Sequence, residues 1–246
     1  MRPLVPLALV ALVFAACGPG SASSPPVGSP GAGPASPSTA PTSASAAPSA
    51  VPPSASADAV PVPDGPLSPG TYVSNATGVT VTFRVGEAGW NGLADLPGAG
   101  SALSRDGIEG GMTITTFGGE VFSEPCSPEE TEPVEATAEA FVAWLAAHPE
   151  LQAGEPVETT LAGHAALQLD VTSDVPPECP ERPRIWLWVL PTVGDFHLDE
   201  NEAARFIVVD IGEQPTVIVI ETYDIGQQAA LLDATRPILD SMAIEP

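Results

Sequence analysis

The sequence predicts an α+β domain in residues 66–246, in which two helices pack on one antiparallel β-sheet. Several short runs alternate apolar and polar residues, the period of a strand with one buried face. Two further segments carry apolar residues at helical spacing behind a capping residue. Glycine and proline residues separate these segments, as expected for turns.

The first strands are predicted where apolar residues alternate through residues 79–85 and where Tyr72 begins a preceding strand. Residues 86–111 are rich in glycine and show no sustained period. We therefore expect a long connection, from which the side chains of Trp90 and Leu93 pack into the core.

A strand is predicted from residue 112 to residue 122, and the first helix follows it. Thr137 is a suitable N-cap, and apolar or aromatic residues recur at helical spacing through residues 141–148. Pro149 should end this helix, because proline cannot continue the hydrogen-bonding pattern.

The second helix should begin after Asp224 and bend or end its first segment at Pro237. Its predicted buried stripe consists of Ile225, Ala229, Leu232 and Leu239. The remaining strands are predicted at residues 155–161, 164–171, 185–190, 206–211, 217–220 and 242–245.

Residues 1–16 are predicted to form a signal peptide, since Arg2 precedes an apolar run from Leu4 to Phe14. That run is too short for a transmembrane helix, which needs roughly 20 apolar residues.

The stretch Phe14-Ala15-Ala16-Cys17 resembles the lipobox of bacterial lipoproteins, with Phe14 in place of the usual leucine. The resemblance implies that Cys17 carries a diacylglyceryl anchor at the outer face of the cytoplasmic membrane. The alternative is an ordinary secretory signal cleaved near Ala16, which would yield a freely secreted protein.

Residues 17–65 are predicted to be a disordered tether. Residues 18–57 contain no charged residue and consist almost entirely of Ser, Ala, Pro, Gly and Thr. Such a segment cannot bury enough surface to offset its ordering entropy. As a flexible coil it would span ~35–40 Å, which suits a spacer between membrane and domain.

The net charge of −24 arises from 31 acidic residues against 7 basic ones. A field of this sign disfavours nucleic acid as a partner. One explanation is solubility in an acidic, lysine-poor proteome, and the other is attraction of cations or basic partners.

Cys126 and Cys179 are expected to form a disulfide, because lipidation of Cys17 leaves an even pair in an oxidising compartment. A catalytic cysteine is disfavoured, since neither cysteine lies at a predicted helix start.

Motifs for nucleotide binding, serine hydrolases and zinc proteases are absent from the sequence, as is lysine. Schiff-base chemistry is thereby excluded, and no cofactor is predicted. A carboxylate pair of the glycosidase type remains conceivable, but the sequence does not single one out among so many acids. His148 and His164 are interpreted as structural residues.

An acidic segment at residues 195–202 offers weak candidates for a cation site. They are Asp195, His197, Asp199, Glu200 and Glu202. Their spacing does not match an EF-hand, and the favoured interpretation is a solvated acidic loop.

Trp186 and Trp188 should share one face of a strand and could line an apolar groove for a ligand. The alternative, which we favour, is that both faces of this strand are buried.

Short stretches also resemble extracytoplasmic domains of uncharacterised lipoproteins from high-GC bacteria, some of them PsbP-like. The matching pieces are Pro69-Gly70-Thr71-Tyr72, Gly89-Trp90, Leu161-Ala162-Gly163-His164 and Ala204-Arg205-Phe206. The resemblance implies no reaction or cofactor. We therefore expect a membrane-anchored, non-catalytic binding or sensing module that acts on an unknown ligand or protein of the cell envelope. The alternative is an envelope hydrolase that uses carboxylates or a divalent cation in residues 195–202.

Overall fold

A computed structural model describes residues 58–96, 100–173, 179, 184–190 and 194–246. The predicted signal peptide, Cys17 and nearly all of the tether lie outside the described residues. Within the described part of the chain, no helix is both long and apolar enough to cross a membrane.

The described residues form 17 strands and two α-helices. The strands are β1 (Val60–Pro61), β2 (Gly65–Leu67), β3 (Gly70–Ser74), β4 (Thr80–Val85), β5 (Trp90–Leu96), β6 (Gly100–Arg105), β7 (Gly110–Thr116), β8 (Glu120–Glu124), β9 (Ser127–Pro133), β10 (Leu151–Ala153), β11 (Val157–Leu161), β12 (His164–Ser173), β13 (Arg184–Val189), β14 (Asp195–Asp199), β15 (Ala203–Val209), β16 (Thr216–Thr222) and β17 (Ala243–Glu245). The α-helices are α1 (Ala138–Ala147) and α2 (Gln228–Asp240).

The predicted α+β class is wrong, because the described residues form a mainly β structure with 53% in strands and 15% in helices. They make three sheets instead of one. Residues 86–111 are not a long connection but contain β5, β6 and the start of β7. Glycine and polar residues obscure the period of two there, since one side of these strands is largely exposed.

The largest sheet has nine strands, in the order β10-β12-β15-β16-β7-β6-β5-β2, with β11 also paired to β12. One face carries α2 and the sheet β1-β3-β4-β17, and the other carries α1 and the sheet β14-β13-β8-β9. Both helices pack on this one sheet, as predicted, and they lie on its opposite faces.

Two hydrophobic cores result from this arrangement, and β16 contributes to both. Ile218 and Ile220 pack with Met112 in the core beneath α2. Val217 and Val219 pack in the core beneath α1. Alternation along a strand buried on both faces explains why this run is apolar throughout.

Helix α1 begins as predicted. The Thr137 Oγ1 accepts a hydrogen bond from the Ala140 N–H at 3.2 Å. The Asp210 carboxylate accepts a second one from the Ala138 N–H at 2.7 Å. The helix ends at Ala147, two residues before Pro149.

Helix α2 differs from its prediction. Asp224 caps a 3₁₀ turn at Ile225–Gln227, and α2 then continues through Pro237. Its buried side chains are Leu231, Thr235 and Ile238. Leu232 and Leu239 of the predicted stripe are partly buried against the same core, whereas Ala229 is exposed. Ile225 is 46% exposed, because the preceding 3₁₀ turn shifts which side of the helix faces the core.

The predicted disulfide between Cys126 and Cys179 is confirmed, with 5.1 Å between the Cα atoms. It joins the turn of the β8–β9 hairpin to the segment before β13. The Trp186 N–H also donates to the Pro125 carbonyl at 2.9 Å, which holds the same turn against β13.

Candidate functional site

The candidate site lies on the α1 face of the nine-stranded sheet, at the point where α1 and the β14-β13-β8-β9 sheet no longer cover the strands. One row of cross-strand neighbours runs through Leu169, Phe206, Val219, Thr113, Ala102 and Leu93. The first three side chains are fully buried, Thr113 and Ala102 are half-buried, and Leu93 is 54% exposed. Helix α1 and the β14-β13-β8-β9 sheet therefore cover β12, β15 and β16 but leave β7, β6 and β5 open.

The next row on this face passes through Glu221 at the edge of the cover. Glu221 on β16 lies opposite the buried Ala204 on one side and Gly111 on the other. Beyond Gly111 follow Ser104 and Asn91. Glu221 is thus the position at which the row changes from apolar core to open polar surface.

The open surface forms a concavity of about 760 Å³, which we call the sheet groove. Residues 91–93 and 102–113 line it, together with Glu221 and Tyr223. Leu93 and Tyr223, the latter 56% exposed, give the groove an apolar contact surface.

Backbone forms part of the groove floor. A Cβ atom at Gly111 would collide with the Leu103 carbonyl, and one at Gly110 would collide with the Glu221 carbonyl. Glycine is therefore required at both positions by the close approach of neighbouring strands.

A second cavity of about 380 Å³, the carboxyl pocket, opens beside the groove and shares Thr113, Glu221 and Tyr223 with it. Its other walls are Arg184, Asp195, Phe196, His197, Asp199 and Glu202.

Strand β14 brings these side chains to the pocket. Residues 195–199 form a strand and not the expected solvated loop. Phe196 and Leu198 point into the core, and the alternating polar residues face the pocket. A tight turn follows, in which Asn201 has φ of 63°. This turn leads directly into Glu202 and β15.

Glu202 is 4% exposed and held by Ser173. The Glu202 N–H donates to the Ser173 Oγ at 3.1 Å, and the Ser173 N–H donates to the Glu202 carbonyl at 3.0 Å. The end of β12 thereby fixes the backbone of this buried carboxyl residue.

Arg184 provides the positive charge of the pocket and is committed to Asp199. The guanidinium Nε donates to Asp199 Oδ1 at 2.6 Å, and a terminal nitrogen donates to Oδ2 at 3.1 Å. This bidentate geometry raises the pKa of Arg184.

Two of the remaining carboxyl groups, Glu202 and Glu221, have pKa values near neutral pH. Burial raises the pKa of Glu202 to about 7, and the negative charge of Asp199 adds to the effect. Burial also raises the pKa of Glu221 to about 8, followed by the charges of Glu202 and Asp199. Both groups can therefore exchange protons near neutral pH.

Neighbouring groups respond to the same environment. Burial, with the charge of Glu221, raises the pKa of Tyr223 to about 12. Burial raises the pKa of Asp195. Burial lowers the pKa of His197, and the positive charge of Arg184 lowers it further. The pocket is therefore an acidic site with little compensating positive charge.

The weak metal candidates come together only in part. Asp195, His197, Asp199 and Glu202 line the carboxyl pocket, whereas Glu200 lies in the exposed turn. Among the described residues, no group of three or more His, Cys, Asp or Glu side chains is arranged to hold a metal ion.

Trp186 and Trp188 do not form the expected shared face, because a bulge lies between them in β13. Trp188 is 0% exposed and packs in the core beneath α1, while Trp186 is half-buried. The two indoles therefore do not line a common groove.

Both histidines outside the pocket make structural contacts. His148 caps α1 and accepts a hydrogen bond at Nδ1 from the Glu150 N–H at 3.3 Å. His164 Nε2 lies 3.2 Å from the Ile244 carbonyl.

The sequence analysis missed Glu221 and Tyr223. Glu221 is the one charged residue in β16, whose other residues are apolar or threonine. A charge at the end of a two-sided apolar run is a usable signal, because charged residues are rarely buried without a partner.

No protein-family model matches the chain. No curated protein matches it in sequence. Among solved structures, the chain is similar to cyanobacterial PsbP (CyanoP) from Synechocystis sp. PCC 6803, with a TM-score of 0.38 and 11% identity. The match covers 72% of this chain and 92% of that one.

Proposed function

We propose that this chain is a lipid-anchored, non-catalytic binding module of the cell envelope, held at Cys17 on the outer face of the cytoplasmic membrane of a high-GC bacterium. The observation that carries the binding function is the sheet groove, an open concavity on a sheet whose strands β12, β15 and β16 are covered on both faces. Concave sites that combine apolar contact area with a few polar groups are typical of ligand binding.

The anchor is supported by the lipobox-like stretch ending at Cys17 and by the confirmed pairing of the other two cysteines. Intact mass and membrane partitioning of the wild type and a Cys17→Ala variant test it. A diacylglyceryl mass and membrane retention, both lost in the variant, are the expected results. A soluble, unlipidated wild type would refute the anchor without affecting the groove.

The groove is tested by hydrogen exchange of the full chain with and without a detergent-solubilised envelope extract. We expect slower exchange in residues 91–93 and 102–113, and loss of this protection in Ala102→Arg, which fills the groove. Protection confined to the exposed strand β9, or none at all, would refute the groove as the binding site.

A second candidate is an envelope hydrolase, favoured by the raised pKa values of Glu202 and Glu221 within one concave site. A carboxyl group that is protonated near neutral pH can act as a general acid. Turnover of 4-methylumbelliferyl glycosides between pH 5 and 8, abolished by Glu221→Gln, would support this candidate; its absence favours the binding module.

A further inference from the structure

We propose that the sheet groove binds an extended basic segment of another protein and that a lysine or arginine side chain of this segment enters the carboxyl pocket. The inference rests on the proposed binding function and specifies the partner. It is argued from charge complementarity, from the chemistry of this chain and from the shape of the site.

The charge of the site is negative at both ends. Asp106 and Glu109 line the groove, and Glu221 marks its junction with the carboxyl pocket. Arg105, the cation of the groove, already pairs with Glu87 at 2.7 Å. Arg184, the cation of the pocket, already pairs with Asp199 at 2.6 Å. Arg105 thus pairs with a carboxylate outside the groove, and Arg184 pairs with one inside the pocket. Neither arginine is paired with Asp106, Glu109 or Glu221, which an incoming positive charge would meet.

Among the described residues, no cation compensates the charge of Glu221 in particular. Its pKa is raised by burial and by two like charges, with no favourable contribution from a positive group. A lysine or arginine side chain entering the pocket would supply that contribution, since an opposite charge nearby favours the ionised carboxylate. The desolvated setting strengthens such an attraction relative to water.

The described part of the chain does not offer a suitable occupant. Residues 18–57 carry no charge, and the whole chain contains no lysine. Arg205 and Arg236, like the two site arginines, pair with carboxylates of their own domain. Arg84 lies on β4, in the sheet that packs on the opposite face. With a net charge of −24, a second copy would be repelled. The basic segment must therefore belong to another protein.

The shape of the site favours a polypeptide over a small amine. A small amine would occupy the carboxyl pocket and leave the larger groove, with Leu93 and Tyr223, unused. An extended segment can place apolar side chains against Leu93 and Tyr223 while one cationic side chain reaches Glu221.

Proton release should accompany this binding. The groups that face Glu221 from the neighbouring elements are Glu202, Asp199, Asp195, His197, Arg184 and Tyr223. At acidic pH Glu202 and Glu221, whose pKa values are raised, are protonated, and the pocket attracts a cation weakly. As pH rises through their pKa values they ionise, so the affinity for a cation should increase.

The test is fluorescence anisotropy of the full chain with a fluorescein-labelled heptapeptide, Ala-Val-Lys-Val-Lys-Val-Ala, and its glutamine analogue. Spermine serves as the small-amine competitor. The protein variants are Glu221→Gln, which removes the charge at nearly constant shape, and Glu129→Gln, a matched control on the exposed strand β9. Thermal melting confirms that each variant is folded.

We expect the lysine peptide to bind the wild type and Glu129→Gln equally. Binding should weaken by about tenfold in Glu221→Gln, and by a similar factor for the glutamine peptide. Affinity should rise between pH 6 and pH 8.5 in the wild type more than in Glu221→Gln.

Other outcomes separate this inference from the proposed function. Equal binding of both peptides, or equal binding by Glu221→Gln, would refute the cationic partner while keeping the groove as a site. Spermine binding as tightly as the peptide would refute the polypeptide. Absence of peptide binding, together with no extract-dependent protection of the groove, would refute both proposals.

Discussion

The indole of Trp188 stacks on the ring of Phe196, with 4.1 Å between the ring centroids and 14° between the planes. Phe141 meets the same indole edge-on at 5.1 Å. The bulge in β13 turns Trp188 into this aromatic cluster and leaves Trp186 beside Arg184 and His197. Trp188 is therefore a core residue, whereas Trp186 lies at the edge of the carboxyl pocket beside Arg184 and His197.

Replacing Trp188 should destabilise the domain far more than replacing Trp186. Trp188→Ala removes a fully buried side chain and leaves a cavity, which typically costs about 3–5 kcal/mol. Trp186→Ala should cost about half of that or less, because its side chain is half-buried. Urea unfolding followed by circular dichroism measures both, and equal losses would contradict the assignment of Trp188 to the core.

Removing the disulfide should destabilise the chain without changing its fold. The bond closes a loop with a sequence separation of 53 residues. For a loop of this length, the chain-entropy model predicts that the disulfide stabilises the folded state by about 4 kcal/mol. A Cys126→Ala, Cys179→Ala double variant should unfold at lower denaturant concentration, and wild-type protein treated with a reductant should shift in the same way. Unchanged unfolding in both samples would contradict a structural role.

The carboxyl pocket should make the domain less stable as pH rises. The pKa values of Glu202 and Glu221 in the folded state, about 7 and about 8, lie above the ordinary value of 4.5. Their stabilising contribution is complete below pH 4.5 and is lost as pH rises through the folded-state pKa values. Each group adds a slope of up to ~1.4 kcal/mol per pH unit in that window.

The measurement is the free energy of unfolding at several pH values between 4.5 and 9. Glu221→Gln should flatten the decline above pH 6, because glutamine does not ionise. Glu129→Gln, which alters an exposed carboxylate, should retain the wild-type slope. A parallel decline in Glu221→Gln would show that other groups cause it.

His148 should make the domain sensitive to acid. Burial lowers the pKa of His148 to about 4, below its ordinary value of 6.5. The neutral ring accepts the Glu150 N–H, and protonation at Nδ1 would remove that acceptor. Its stabilising contribution is present above pH 6.5 and is lost as pH falls towards 4. Unfolding of His148→Gln should depend less on pH in this window, whereas His164→Gln should behave like the wild type.

Local features were predictable from the sequence. The cap at Thr137 and the strand at residues 79–85 depend on residues within a few positions of each other. The cysteine pair follows from the even number of cysteines that remains once Cys17 is set aside. The strands with an exposed side were not predictable, because β5, β6 and β9 carry glycine or polar residues where a buried strand would be apolar.

The sequence by itself determined the charge, the tether composition, the cysteine pair and the cap of α1, since each depends on residue identity or close neighbours. The tertiary structure decided the site. Glu221 lies beside Gly111 because β16 pairs with β7, and both lie beside the carboxyl pocket because β14 packs against the same face. The order of the strands depends on how residues far apart in the sequence are buried together in two cores. The local pattern of apolar residues does not specify which strands become neighbours.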